Sequence, residues 1–153
     1  MNFFVNWIVD NEIAISRAPK ENRDVIYLEE QRIKSVLSLC SEKEILTPQR
    51  LKDNFTLNRF VLPDHKSNKK IELGEIIFAL KVLKSLEKSR PTLVHCKAGI
   101  ERSPLICIAW LIKIGNLSPI DALDFVVDVH PLSNPIPSQL ELIFGEEFKK
   151  AKL

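Results

Sequence analysis

The sequence predicts a single α/β domain, a sheet flanked by helices, on three observations. Short apolar runs of strand character alternate along the chain with segments of helical period. The 153 residues suffice for one substantial core, and 45% hydrophobic with 27% charged residues is an ordinary globular balance. A strand, a tight loop and an apolar helix follow one another from Thr92 to Ile114. Neither an internal repeat nor a linker divides the chain, so residues 1–153 are read as one domain.

Each element has its own signal. Phe3 to Val9 and Glu12 to Ile15 flank Asp10-Asn11, a turn pair, and predict a hairpin. Arg23 to Arg32 reads as a helix and Ile33 to Leu39 as a strand. Thr47-Pro48 has the pattern of an N-cap with Pro at the first helical position, opening a short helix that ends near Asp53. Phe55 to Leu62 is a further strand. From Ile71 to Lys88, Leu73, Ile76, Ile77, Leu80 and Leu83 recur at helical spacing, with Glu72 and Glu75 early and Lys84 and Lys88 late, as the helix dipole favours. Pro104 fits a first helical position, which makes Ser103 the expected N-cap of the next helix. Ser118-Pro119 starts another, with Ile120, Leu123 and Val127 expected to face inward, and Ser138 to Glu141 has the capping-box pattern of the last.

Charge and cysteine usage narrow the function. A net charge of +2 makes no case for nucleic-acid binding through a broad basic face. Three cysteines without framework spacing point to a reducing, cytoplasmic setting. The opening residues lack a basic lead and a long apolar stretch, so they read as a first strand and not a signal peptide, and no apolar run reaches membrane-spanning length.

The chemistry concentrates in Val94-His95-Cys96-Lys97-Ala98-Gly99-Ile100-Glu101-Arg102-Ser103-Pro104. A chain turning from a strand end into a helix start leaves backbone N–H groups that no helical carbonyl can take, and such donors with the helix dipole bind phosphate. A thiolate is the reactive form of cysteine, and a helix N-terminus with a nearby Arg stabilises it at Cys96. Gly99 permits positive φ and close approach to a ligand. Arg102 offers a planar fork that grips two phosphoryl oxygens at once. Ser103 can donate to the sulfur when an intermediate breaks down, and His95 is expected to order the loop through backbone contacts.

This loop resembles the signature of the cysteine-dependent protein tyrosine phosphatases: His-Cys, five residues, then Arg and Ser or Thr. Asp64 in Val61-Leu62-Pro63-Asp64 stands at the interval before Cys96 where small dual-specificity members carry their general acid. Trp7, Glu12 to Pro19, and Val129-His130-Pro131-Leu132-Ser133-Asn134-Pro135 are similar in order and spacing to compact members. The resemblance implies a central mixed, mostly parallel sheet of about five strands flanked by helices. It implies a phosphoric monoester hydrolase with Cys96 as nucleophile, Arg102 and the loop residues Lys97, Ala98, Gly99, Ile100 and Glu101 holding phosphate, Asp64 as acid and then base, and Ser103 assisting. No metal and no cofactor are implied. The expected partner is a phosphorylated protein or small phosphoester, met by a monomer.

Other readings stand beside this one. Lys97-Ala98-Gly99 is similar to the loop start of phosphoinositide phosphatases, but Ile100 stands where those enzymes usually carry a second Lys. Glu101 is unusual beside a dianion, and Arg17 and Lys97 are its expected cationic partners. A pseudophosphatase that binds phosphorylated ligands without turnover, and a rhodanese-type sulfurtransferase, are the alternatives of other classes; intact Cys96, Arg102 and Asp64 count against the first, and the second, which also uses a loop cysteine, has no need of Asp64 at this interval or of a helix before the loop. His65 is expected on the loop surface, acting on the acid only indirectly, and His130 at a helix end. Lys66, Lys69 and Lys70 read as a solvated run. Cys107 is expected in the core, and Cys40, at a strand end, could be a resolving thiol for oxidised Cys96.

Overall fold

The computed structural model describes residues 2–153. Five strands form one sheet: β1 (Asn6–Val9), β2 (Ile13–Ser16), β3 (Ser35–Ser38), β4 (Thr56–Arg59) and β5 (Thr92–His95), in the spatial order β1-β2-β5-β3-β4. β1 and β2 form the expected antiparallel hairpin, turned by Asn11 at φ 58°, and the other pairings are parallel. Asn is among the few residues that enter this left-handed region at low cost.

Period-2 alternation divides the core between two faces. Ala14, Val36 and Leu93 point to α1 (Asn22–Glu30) and α2 (Gln49–Asn54), where they meet Val25, Leu28, Leu51 and Phe55. Ile13, Ile15, Leu37 and Val94 point to the other face, against α3 (Leu73–Ser85) and α4 (Arg102–Lys113), with α5 (Pro119–Val129), α6 (Pro137–Phe144) and α7 (Glu146–Lys150) outside. All ten residues from Arg102 to Leu111 are buried, which makes α4 the central helix. Among the described residues no helix is long and apolar enough to cross a membrane.

Several boundaries differ from expectation for identifiable reasons. α4 begins at Arg102 with Glu101 as N-cap, because the Ser103 hydroxyl faces the Cys96 sulfur instead of capping the helix. Pro48, not Thr47, precedes the first turn of α2, and the Thr47 hydroxyl accepts from Arg59 Nη2 at 2.7 Å. α6 opens at Pro137, one residue ahead of the expected cap. α1 and α3 are closed by acidic capping boxes, Glu21 with Asp24 and Glu72 with Glu75. On α5 the inward residues are Ala122 and Val126, while Ile120 and Val127 are exposed and Leu123 is half-buried. Asp121, Asp124 and Asp128 line one face of this helix, and Ala122 and Val126 lie opposite that stripe, whereas Ile120 and Val127 flank it.

Candidate active site

The C-terminal ends of β2, β5 and β3 come into register at Ser16, His95 and Ser38, and the chain leaves β5 there to form the loop 96–101. This is the edge at which parallel sheets present ligand sites. Gly99 adopts φ +73°, and a Cβ on it would lie 2.9 Å from the Arg17 backbone nitrogen. Only glycine meets both demands.

The loop is held from three sides. Ala18 N donates to Lys97 O at 3.1 Å, and Asn134 N donates to Ile100 O at 2.7 Å. His130, buried at the end of α5, donates from Nε2 to Gly99 O at 2.7 Å and accepts at Nδ1 from Asn6 Nδ2 at 2.8 Å. The carbonyl can only accept, so the tautomer follows from the network. Burial lowers the His130 pKa, keeping the ring neutral for this task. His95 orders the loop as expected: its Nδ1 donates to Cys96 O at 3.0 Å, and burial drives its pKa down to about 4. With these supports in place, the backbone N–H groups of Lys97 to Arg102 have no protein acceptor among the described residues. They are the unpaired donors that an oxyanion would satisfy.

Cys96 lies at the base of this loop, 2% exposed, with Ser103 Oγ 3.2 Å from its sulfur. Arg102 is 3% exposed and its charge is met by Glu44, Nη2 to Oε1 at 2.7 Å and Nη1 to Oε2 at 3.1 Å, with Leu62 O accepting from Nη1 at 3.0 Å. Burial would raise the Glu44 pKa, but hydrogen bonds from Arg102 and Ser41 outweigh it and hold the carboxyl below the usual range. This grip takes the outer edge of the guanidinium. The Nε edge has no protein acceptor among the described residues and is available to phosphoryl oxygens. Sequence reasoning missed Glu44, and its only local trace is the Ser41-to-Glu44 spacing, whose carboxylate accepts from Ser41 N at 2.9 Å.

Asp64 reaches the same cleft, which Cys96, Lys97, Ala98, Ile100, Glu101 and Arg102 also line. The structure corrects the reading of Glu101. It is 7% exposed and pairs with neither Arg17 nor Lys97: Oε2 accepts from His65 Nδ1 at 2.5 Å and Oε1 from Gln139 Nε2 at 2.8 Å. Arg17 turns instead to Asp24, 3.3 Å away, and to Ala18 O. His65 also lies 3.0 Å from Asp64 Oδ1, so it touches the acid directly. One ligand atom each from Asp64, His65 and Glu101 fall within 4.8 Å of one another, a grouping whose donor set suits a divalent cation. Cys107 is buried in the core as expected, and Cys40 is buried with its Sγ 4.0 Å from His95 Nδ1; burial raises both thiol pKa values. A protonated, enclosed Cys40 is a poor attacking thiol.

Sheet order, anion-binding loop and basal thiol together define a compact α/β protein of the cysteine-phosphatase class. The chain belongs to the family described as dual specificity phosphatase, catalytic domain, which it matches over residues 18–144. It is similar to the phosphatidylglycerophosphate phosphatase PTPMT2 of Arabidopsis thaliana, 26% identical over 145 residues, 94% of this chain and 63% of the plant protein. Shorter stretches align with the phosphatidylglycerophosphatase and protein-tyrosine phosphatase 1 of Rattus norvegicus, 40% over 57 residues, 37% of this chain and 28% of the other. The dual specificity protein phosphatase 14 of Mus musculus is 43% identical over 49 residues, 32% and 25% of the two chains. The chain thus spans less than two thirds of the length of these curated relatives. Among solved structures, Tk-PTP in its active form superposes with a TM-score of 0.78 at 21% identity, covering 95% of this chain and 96% of that one. PTPMT1 in complex with PI(5)P gives 0.73 at 24%, covering 95% and 94%. At these identities the likeness is one of fold.

Proposed function

We propose that the chain is one catalytic domain of a phosphoric monoester hydrolase that works through a cysteinyl-phosphate, as a monomer in a reducing, cytoplasmic setting. The observation that carries the reading is the loop 96–102, which joins unpaired backbone N–H groups to the buried Cys96 thiol and the free edge of Arg102. The thiolate attacks phosphorus while these donors hold the equatorial oxygens, where charge redistributes in the transition state. The P–O bond to the leaving group breaks as Asp64 delivers its proton to that oxygen. Water then attacks the phosphocysteine, Asp64 takes a proton from it, and phosphate leaves as the Cys96 thiolate is restored, with Ser103 donating to the sulfur.

A phosphoprotein is the first substrate reading, from the family and the open cleft. A phosphoinositide or related lipid phosphate is the second, favoured by exposed Lys97 and Lys66 at the cleft and by relatives named for phosphatidylglycerophosphate. Intact Cys96, Arg102 and Asp64 in one cleft favour turnover over mere phospho-ligand binding. Cys96→Ser should remove all phosphate release while calorimetry still detects a bound phosphoester; retained turnover would defeat the mechanism. Phosphopeptides, phosphoinositides and inositol phosphates ranked by kcat/KM then choose between the substrate classes.

A further inference from the structure

Four side chains join the Asp64 loop to the phosphate loop, and the reaction as written requires only one of them. Gln139 on α6 donates from Nε2 to Glu101 Oε1, Glu101 Oε2 accepts from His65 Nδ1 at 2.5 Å, and that nitrogen stands 3.0 Å from Asp64 Oδ1. Burying the Glu101 carboxylate is costly unless both oxygens are satisfied, and Gln139 and His65 satisfy one each. Gln139 is committed to this contact: with Nε2 on Glu101, its own Oε1 is buried without a protein partner. A flipped amide would set oxygen against carboxylate, so the orphaned oxygen is the lesser cost.

The acid itself has little else to fix it. Among the described residues no protein group donates a hydrogen bond to the Asp64 carboxylate, and His65 is its only ion-pair neighbour. Ser67 Oγ donates to the Asp64 backbone carbonyl at 2.7 Å, which shapes the loop without tying it to the site. Ahead of the acid the Leu62 carbonyl is held by Arg102 Nη1 at 3.0 Å; beyond it the tether between the two loops runs through an imidazole whose N–H is aimed at a buried, doubly anchored carboxylate.

We propose that His65 is a positioning residue for the general acid: fixed by Glu101 and Gln139, it docks the Asp64 loop against the phosphate loop so that Asp64 meets the leaving oxygen. The inference rests on the reading of Asp64 as the acid. It gives Glu101 a task at the wall of the cleft, holding His65 with one oxygen while Gln139 holds the other.

The test is the dependence of kcat on leaving-group basicity in the purified chain, with an activated aryl phosphate and an alkyl phosphate as probes. Asp64→Asn establishes the acid's signature, a loss concentrated on the alkyl ester. His65→Ala should lower the alkyl-to-aryl rate ratio on the order of tenfold, part of the ~10²–10⁴-fold that a positioned acid supplies. His65→Asn, whose amide nitrogen falls close to the Nδ1 position, should recover most of that ratio. Glu101→Gln with His65→Ala should lower it no further than the worse single variant, and amide hydrogen exchange should quicken at residues 64–70 in His65→Ala. If Asp64→Asn shows the signature while His65→Ala slows both esters equally or leaves the ratio unchanged, the positioning role is overturned and the acid stands. If Asp64→Asn shows no signature, the acid assignment falls, and the role of His65 falls with it.

Discussion

The two loops that enclose the cleft are built on opposite plans. The phosphate loop is fixed by groups far apart in sequence: Gly99 lies against the Arg17 backbone, and the loop carbonyls accept from Ala18, His130 and Asn134. The segment that carries Asp64 leaves the sheet after Arg59, runs exposed from His65 to Lys70, and touches the phosphate loop through the His65 side chain and, ahead of the acid, through the Leu62 carbonyl on Arg102. The difference teaches which part of the chemistry needs preorganisation. Donors aimed at developing charge act best when they need not rearrange, whereas a proton donor must admit a substrate before it is used.

Breaking the rigid partner should cost most. Arg102→Lys keeps the charge but loses the fork, and kcat/KM should fall by ~10²–10³, the cost of one lost oxyanion donor. A fall below tenfold in steady-state assays would mean the Nε edge does not hold phosphate.

Gly99→Ala should come next, because strain and a 2.9 Å backbone clash act together at one position. A loss of about 1–3 kcal/mol in denaturant unfolding, with reduced turnover, is expected. His130→Ala strips a buried donor from Gly99 O and leaves Asn6 without its acceptor, so a similar cost of ~1–3 kcal/mol is expected, read as a fall in Tm.

Acid sharpens the same comparison. An unfolded chain protonates His95 near pH 6.5, but the folded ring resists until about pH 4. Between those values the unfolded state binds more protons, so stability should fall as pH is lowered through the window, by on the order of 3 kcal/mol in total. Depressed His130 adds to the fall in the same direction. A melting temperature flat from pH 7 to 4 would contradict a neutral, buried His95.

Smallest of all should be Ser67→Ala on the exposed loop. Its removal should change global stability by no more than ~0.5–1 kcal/mol, since an exposed hydrogen bond is exchanged for one to water. A cost as large as that of His130→Ala would erase the contrast between the loops.

What could be read from sequence follows the same division. Cys96 to Ser103 is one contiguous stretch, so its residue types and spacing disclosed the site, and Asp64 came with the family resemblance. Glu44, His130 and Gln139 act on the site across 58, 31 and 38 positions, at contacts that no local pattern encodes. Glu101 was misread for that reason: its neighbours in sequence are cations and the phosphate cradle, but its neighbours in space are His65 and Gln139. Sheet and helices were legible wherever a period singled out one face. On α5, Ile120 and Val127 were assigned inward when Ala122 and Val126 pack, the face opposite the Asp121, Asp124 and Asp128 stripe.

The phosphate loop draws its supports from Asn6, Ala18, His130 and Asn134, near both ends of the chain. Turnover is therefore a report on assembly: it requires the first hairpin and the turn after α5 to be docked at once. Two fragments separated within residues 65–70 would each lack part of the cradle and regain phosphate release only on recombining. Catalysis in such a complementation pair would measure their association directly, with no dye or fused reporter.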